Sequence, residues 1–217
     1  MRNKFDEQLG QLYNEMKIMG NMIEKAIEDA INALFNQDIE LARKIMSNDE
    51  FVDREQKKIE NICFQLLIQQ QPVARDLRTI TAAMKMVTDM ERIGDQAADI
   101  SELTVMMAKC QHDIDTDRIN QMANETIAML LDAIDSYVER DMDKAHKVIL
   151  HDDIVDDLFL QVKTELIKVM QSKSEYAEVA ADLLMVNKYL ERIGDHATNI
   201  AEWVIFSLDD RLIERND

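Results

Sequence analysis

The chain has 217 residues, with 25 Lys and Arg against 43 Asp and Glu, for a formal net charge of −18. A surface that acidic repels nucleic acid and anionic lipid, which argues against binding either directly and favours cations or basic protein patches. One proline, four glycines and 5% aromatics in a chain that is 47% hydrophobic point to a folded protein that is helical nearly everywhere.

Taken in order, the apolar periodicity predicts a first helix from about Arg2 to Phe35 and a break at "NQD" (Asn36–Asp38). A second helix runs to about Gln70, with a bend expected near "SND" (Ser47–Asp49). The only proline, Pro72, stands where a third helix would begin, a position that tolerates its missing N–H. That helix extends to about Lys109, and the polar "QHDIDTD" (Gln111–Asp117) is the best linker in the chain. A fourth helix follows over about Asp117–Arg140 and a fifth over about Met142–Met170. "QSKSE" (Gln171–Glu175) turns the chain into a sixth that reaches about Leu208. The loops are short enough for antiparallel neighbours.

Three helices, a linker and three helices form a duplication. "MERIGDQAADISE" (Met90–Glu102) aligns without gaps on "LERIGDHATNIAE" (Leu190–Glu202), 100 residues later. "NDEFVDRE" (Asn48–Glu55) pairs with "HDDIVDDL" (His151–Leu158) at an offset of 103. The expected fold is all-α, two tandem pseudo-repeated three-helix bundles, with domains at residues 1–112 and 113–217. The N-terminus has no apolar signal region and no apolar run reaches membrane-spanning length, so a cytoplasmic protein is expected. Cys63 and Cys110 have no metal-ligand spacing and read as small buried hydrophobes.

The repeated "ERIGD" carries the chemistry. At ~100° per residue, Glu91, Asp95, Asp99 and Glu102 fall within about 80° of one another on the third helix. The sixth helix repeats the ridge with Glu191, Asp195, Asn199 and Glu202. Gly94 and Gly194 lie beside the ridges. A glycine inside a helix costs about 1 kcal/mol relative to alanine, so a close approach by a backbone or a ligand is expected there. The second and fifth helices carry Asp49/Asp53 and Asp152/Asp156, each four apart. Counted from the intervening turn, Asp49–Asp53 and Glu91–Asp95 both lie ~30 Å along their helices, so an antiparallel hairpin sets them level. The second half gives the same result. Carboxylates gathered in this way repel one another by a few tenths of a kcal/mol per pair even when exposed. Bound hard cations such as Mg, Ca, Mn or Fe would offset that.

Other chemistry has no counterpart in the sequence. There is no Glu-x-x-His of di-iron bundles, no His-Glu-x-x-His, no Gly-rich phosphate loop and no nucleophile elbow. His112, His146, His151 and His196 are scattered and take surface or packing roles.

Taken together, "ERIGD" twice, "QQPVARDLR" (Gln70–Arg78), "DEFVD" and "DDIVD" in the preceding helices and "DHATNIAEWVIF" (Asp195–Phe206) closely resemble the PhoU family of bacterial phosphate-transport regulators, over nearly the whole chain. The resemblance implies a cytoplasmic, homodimeric, non-enzymatic negative regulator of phosphate uptake and of the phosphate-starvation response. It implies two partners, the ATPase subunit of the phosphate ABC transporter and the phosphate-sensing histidine kinase. It also implies metal ions (Fe, Mn, Mg or Zn), in multinuclear clusters in some members, on Asp49/Asp53, Glu91/Asp95, Asp152/Asp156 and Glu191/Asp195, with Asp99 extending the first ridge. Asn199 departs from the pattern of Asp99, so the second site is expected to be weaker. A competing expectation is a metal-storage or metal-dependent hydrolytic bundle. "PVARDLR" has two readings: a helix start with Asp76 on the N-terminal dipole, or a partner contact.

Overall fold

In the computed structural model, residues 2–69, 72–108 and 113–209 are described. Six α-helices account for almost all of them: α1 Arg2–Asn36, α2 Ile39–Gln69, α3 Ala74–Met107, α4 Asp117–Glu139, α5 Met142–Ser172 and α6 Ala177–Leu208, with a single 3-10 turn at Ser174–Tyr176. The helices follow the apolar periodicity to within a few residues. Gln70, Gln71, Cys110 and the first two residues of the expected linker, Gln111 and His112, fall outside the described residues.

One expectation, the start of the third helix, is corrected, and the bend expected near Ser47–Asp49 does not interrupt α2. α2 runs uninterrupted through Ser47–Asp49; the Ser47 hydroxyl donates to the Lys44 carbonyl within its own helix and so does not break the ladder. Pro72 is not the first helical residue. α3 begins at Ala74 after an extended Val73 (φ −77°, ψ 168°), which leaves the proline outside the helix.

The turns between the first two helices of each repeat are built alike. Gln37 and Arg140 take the left-handed conformation, at φ 52° and 59°. After α1, Asp38 N–H bonds the Ala33 carbonyl at 2.9 Å and Gln37 N–H the Leu34 carbonyl at 3.4 Å. After α4, Asp141 N–H bonds Ser136 at 2.9 Å and Arg140 N–H bonds Tyr137 at 3.3 Å. These are the paired bonds that close a helix end with one left-handed residue. Asp38 and Asp141 then cap the next helix, accepting from Leu41 N–H and Lys144 N–H, each at 3.0 Å. The chain stops one helix and starts another within two residues.

Each set of three helices packs as a bundle, α1–α2–α3 and α4–α5–α6. The bundles meet along α3–α6 and, behind it, along α1–α4, while α2 and α5 do not touch among the described residues. One face is therefore a layer in the order α2, α3, α6, α5, with α1 and α4 packed behind. The seam is core, not linker. Tyr137 is wholly buried, stacks edge-on against Tyr13 at 5.3 Å and donates its hydroxyl to the Thr79 carbonyl at 2.9 Å. His196 Nδ1 donates to the buried Asp89 carboxylate at 2.9 Å. The packing role expected of His196 is thus a tie between the repeats. Cys63 is buried, and burial followed by the Glu60 charge pushes its thiol up to about 12. It behaves as a small hydrophobe, as expected.

Candidate metal centre

The hairpin α2–α3 sets its two acid pairs level, and the acidic phases of both helices point the same way. Carboxylate oxygens of Asp49, Asp53 and Asp95 lie within 4.8 Å of one another. All three side chains are half-buried. Asp49 is raised from 3.8 to about 6, first by burial, then by the charges of Asp95 and Asp53, and by its hydrogen bond with Asp95. The same bond holds Asp95 down while burial and Asp53 push it up, with burial the stronger. Glu91, one turn before Asp95, is raised by burial and by Asp95 and Asp53, with Arg92 opposing. Asp99, one turn beyond, is raised by burial and by Asp95 and Glu102, while Arg192 of the other repeat opposes. Asp99 is a neighbour of the trio and not one of the three gathered oxygens.

The second hairpin repeats the arrangement loosely. Asp152 is raised to about 6 by burial, then by Asp156, Asp195, Asp153 and Glu191. Asp195 is raised by burial and Glu191, against Lys188. The same four positions thus converge, yet among the described residues only the first set brings three oxygens within 4.8 Å. The difference that sequence reasoning missed is Lys188. It ion-pairs with Glu191 one turn along, where the first repeat has Thr88, whose hydroxyl donates back to the Met84 carbonyl at 3.2 Å. The offset of 100 that relates the motifs also pairs Thr88 with Lys188, so the signal was present in the alignment.

The glycines of the motif admit side chains of the neighbouring helix, not its backbone. A Cβ on Gly94 would come 3.1 Å from Val52 Cγ1. On Gly194 it would come 3.2 Å from both Val155 Cγ1 and Asp152 Oδ1. Glycine here lets the preceding helix lie close enough for its aspartates to reach the ridge. Hard, anionic oxygen donors gathered against their own repulsion, with raised proton affinity, are what a divalent or ferric ion would replace protons on. The residues that could hold a metal ion are therefore Asp49, Asp53 and Asp95, with Glu91 one turn away; no such group of three forms among the described residues at Asp152, Asp156, Glu191 and Asp195.

The fold and site together define an all-helical protein of two duplicated three-helix bundles, each with carboxylates from its last two helices brought level. The sequence profile of the PhoU domain matches residues 16–104 and 119–204, one match per repeat. The chain belongs to the PhoU family. It is 40% identical to the phosphate-specific transport system accessory protein PhoU homolog of Clostridium acetobutylicum, over 100% of this chain and 99% of that protein. Against the Escherichia coli phosphate-specific transport system accessory protein PhoU, identity is 29% over 94% of this chain and 84% of that one. The crystal structure of PhoU from Pseudomonas aeruginosa superposes with a TM-score of 0.88 at 30% identity, covering 94% of this chain and 98% of the other. That of the phosphate transport system regulatory protein PhoU from Streptococcus pneumoniae gives 0.87 at 26%, covering 94% and 96%.

Proposed function

We infer that this protein is an accessory regulator of phosphate transport which acts by binding and not by catalysis. It restrains uptake and represses the phosphate-starvation response when phosphate is ample. The observation that supports this reading is the family match across both repeats, in a chain that aligns along its whole length with a phosphate-specific transport accessory protein. Its partners are the ATPase subunit of the phosphate ABC transporter and the phosphate-sensing kinase. The working form is a cytoplasmic homodimer, and no helix among the described residues is long and apolar enough to cross a membrane. The two repeats, residues 1–112 and 113–217, are its domains.

In this reading Asp49, Asp53, Glu91, Asp95 and Asp99 hold divalent or iron-type ions in the first repeat, and Asp152, Asp156, Glu191 and Asp195 in the second. A bound ion relieves the repulsion between α2 and α3 and fixes the hairpin. Deleting the gene in its own host should leave phosphate-starvation genes expressed in phosphate-rich medium, and reintroducing the wild-type gene should restore repression. Normal repression in the deletion strain would overturn the regulatory reading.

A further inference from the structure

A cavity of about 260 Å³ opens between α1 and α2 of the first repeat. Met22 and Ala26 of α1 and Ile45, Phe51 and Val52 of α2 form its apolar walls. Gly94 of α3 also lines it, so the space reaches past the first two helices to the third. It is not the acid trio, which gathers between α2 and α3; of the three aspartates only Asp49 borders the cavity.

The duplication supplies a control. The turn residues Gln37 and Arg140 are 103 apart, and at that offset the counterparts of Met22, Ala26 and Asn48 are Glu125, Met129 and His151. Met129 is buried and puts a long side chain where Ala26 has a methyl group. His151 Nε2 and Glu125 Oε2 lie 2.7 Å apart and join α5 to α4 at the place that Asn48 and Met22 leave open. The same fold thus fills this space in one copy and leaves it open in the other. Close packing is the rule between helices, and apolar walls without neighbours forgo dispersion contacts that a ligand can supply.

The lining decides the chemistry of that ligand. Lys25 and Asp29, which also line the cavity, hold each other at 2.8 Å, so neither is left to recognise an ion. Asn48 adds an amide that both donates and accepts. Apolar walls with one or two polar groups to fix orientation are the usual make-up of a small-molecule site. The half-exposed Phe51 ring and the Met22 thioether both pack well against aromatic faces and edges. A dry cavity of about 150 Å³ holds benzene, so this one has room for two fused rings.

We propose that the cavity between α1 and α2 binds a neutral aromatic molecule of one or two rings, with a single hydrogen-bonding group that meets the Asn48 amide. The site depends on neither the regulatory reading nor the metal reading, and its test is run in chelator so that they fail separately.

The probe is indole, titrated calorimetrically into the full chain. The wild type should bind one molecule per chain with a Kd of about 1 mM or below. Ala26→Met installs the residue that the second repeat packs at this position, and it should weaken binding about tenfold by filling the space. Phe51→Asn, at a residue 51% exposed, should weaken it about threefold with the fold undisturbed. Melting of both variants is checked. Indole bearing a carboxylate should bind about tenfold more weakly than indole itself, because a charge finds no free partner in the lining. No saturable binding of indole by the wild type overturns the proposal, as does undiminished binding by Ala26→Met or equal affinity for the carboxylated probe. So does a wild type that binds a tryptophan-bearing peptide but not free indole, because the cavity would then take the side chain of a partner protein.

Discussion

The two acid clusters began as copies and are no longer equal. In the first, Asp49, Asp53 and Asp95 bring oxygens within 4.8 Å of one another, and the position that corresponds to Lys188 is Thr88, although the Arg92 charge partly opposes the rise of Glu91 and Asp95. In the second, the same positions converge but Lys188 pairs with Glu191, and Asn199 stands where the first ridge has Asp99. The difference teaches that a duplicated motif preserves the helix phases that point the carboxylates together, while single neighbours decide how much uncompensated charge remains. On the reading proposed above, the first cluster would be the stronger cation site, because Lys188 already offsets part of the charge of the second.

The largest expected effect breaks that comparison directly. Without metal, the wild type holds its carboxylates against repulsion, so Asp95→Asn should be no less stable and should gain a few tenths of a kcal/mol. With millimolar Mn or Mg the order reverses. Ligand at 100 times Kd stabilises the native state by about 2.7 kcal/mol, and Asp95→Asn should lose much of it. Asp195→Asn should lose less, and Glu7→Gln, an exposed acid off the ridge, nothing. Thermal melting of the four proteins in chelator and in metal checks this. If the wild type gains nothing from metal, the ridges are ordinary acidic helix faces.

The pH dependence is smaller. Asp49 and Asp152 are raised from 3.8 to about 6, in each case chiefly by burial. A carboxyl whose folded pKa lies above its unfolded one opposes folding fully at pH above the folded value, and the opposition disappears below the unfolded value. In chelator, each group should therefore weaken the fold near pH 7 and cease to do so as pH falls from about 6 to about 4. Both side chains are half-buried, so screening reduces the effect to on the order of 1 kcal/mol for the two together. The difference in stability between wild type and Asp49→Asn, followed across that window, isolates the first. Asp152→Asn should give a similar curve, because burial dominates both. A difference flat with pH would show that neither carboxyl is perturbed.

Exchanging the residues that distinguish the repeats gives a smaller change still. Lys188→Thr removes the cation from Glu191 and should tighten divalent binding at the second cluster about threefold, the range of a single exposed ion pair. Thr88→Lys should weaken the first cluster by a similar factor. Calorimetric titration with Mn measures both, and unchanged affinities would mean that Asn199, not Lys188, separates the sites.

Much of this was legible in the sequence for a definite reason. Helix phase and rise are nearly invariant, so eighteen residues or four residues in a helix convert directly into direction and distance. That is why the six helices, the duplication and the level of the acid pairs could be read before any coordinates. What depends on side chains reaching between helices could not be read with equal force. The tie from His196 to Asp89 joins residues 107 apart in sequence. The pairing of Lys188 with Glu191 depends on a rotamer choice, and phase alone did not decide between that and an exposed lysine. Pro72 was placed one step too deep because its local preference for the first helical turn competes with an extended Val73, and the extended residue prevailed.

The last prediction concerns the part of the duplication that has not diverged. Gln37 and Arg140 both sit at positive φ, 52° and 59°, in turns with matching hydrogen bonds. A residue with a Cβ is strained in that region, whereas glycine populates it readily. Glycine also adds freedom to the unfolded chain, which offsets part of the relief. Gln37→Gly and Arg140→Gly should therefore each stabilise the protein by a few tenths of a kcal/mol, and by closely similar amounts. Replacement by valine should destabilise both, since a β-branched side chain tolerates positive φ least. Chemical denaturation in chelator gives the comparison without interference from metal. If Gln37→Gly gains and Arg140→Gly loses, the Arg140 side chain contributes an interaction that its backbone conformation does not reveal. The turns would then have diverged as the acid clusters have.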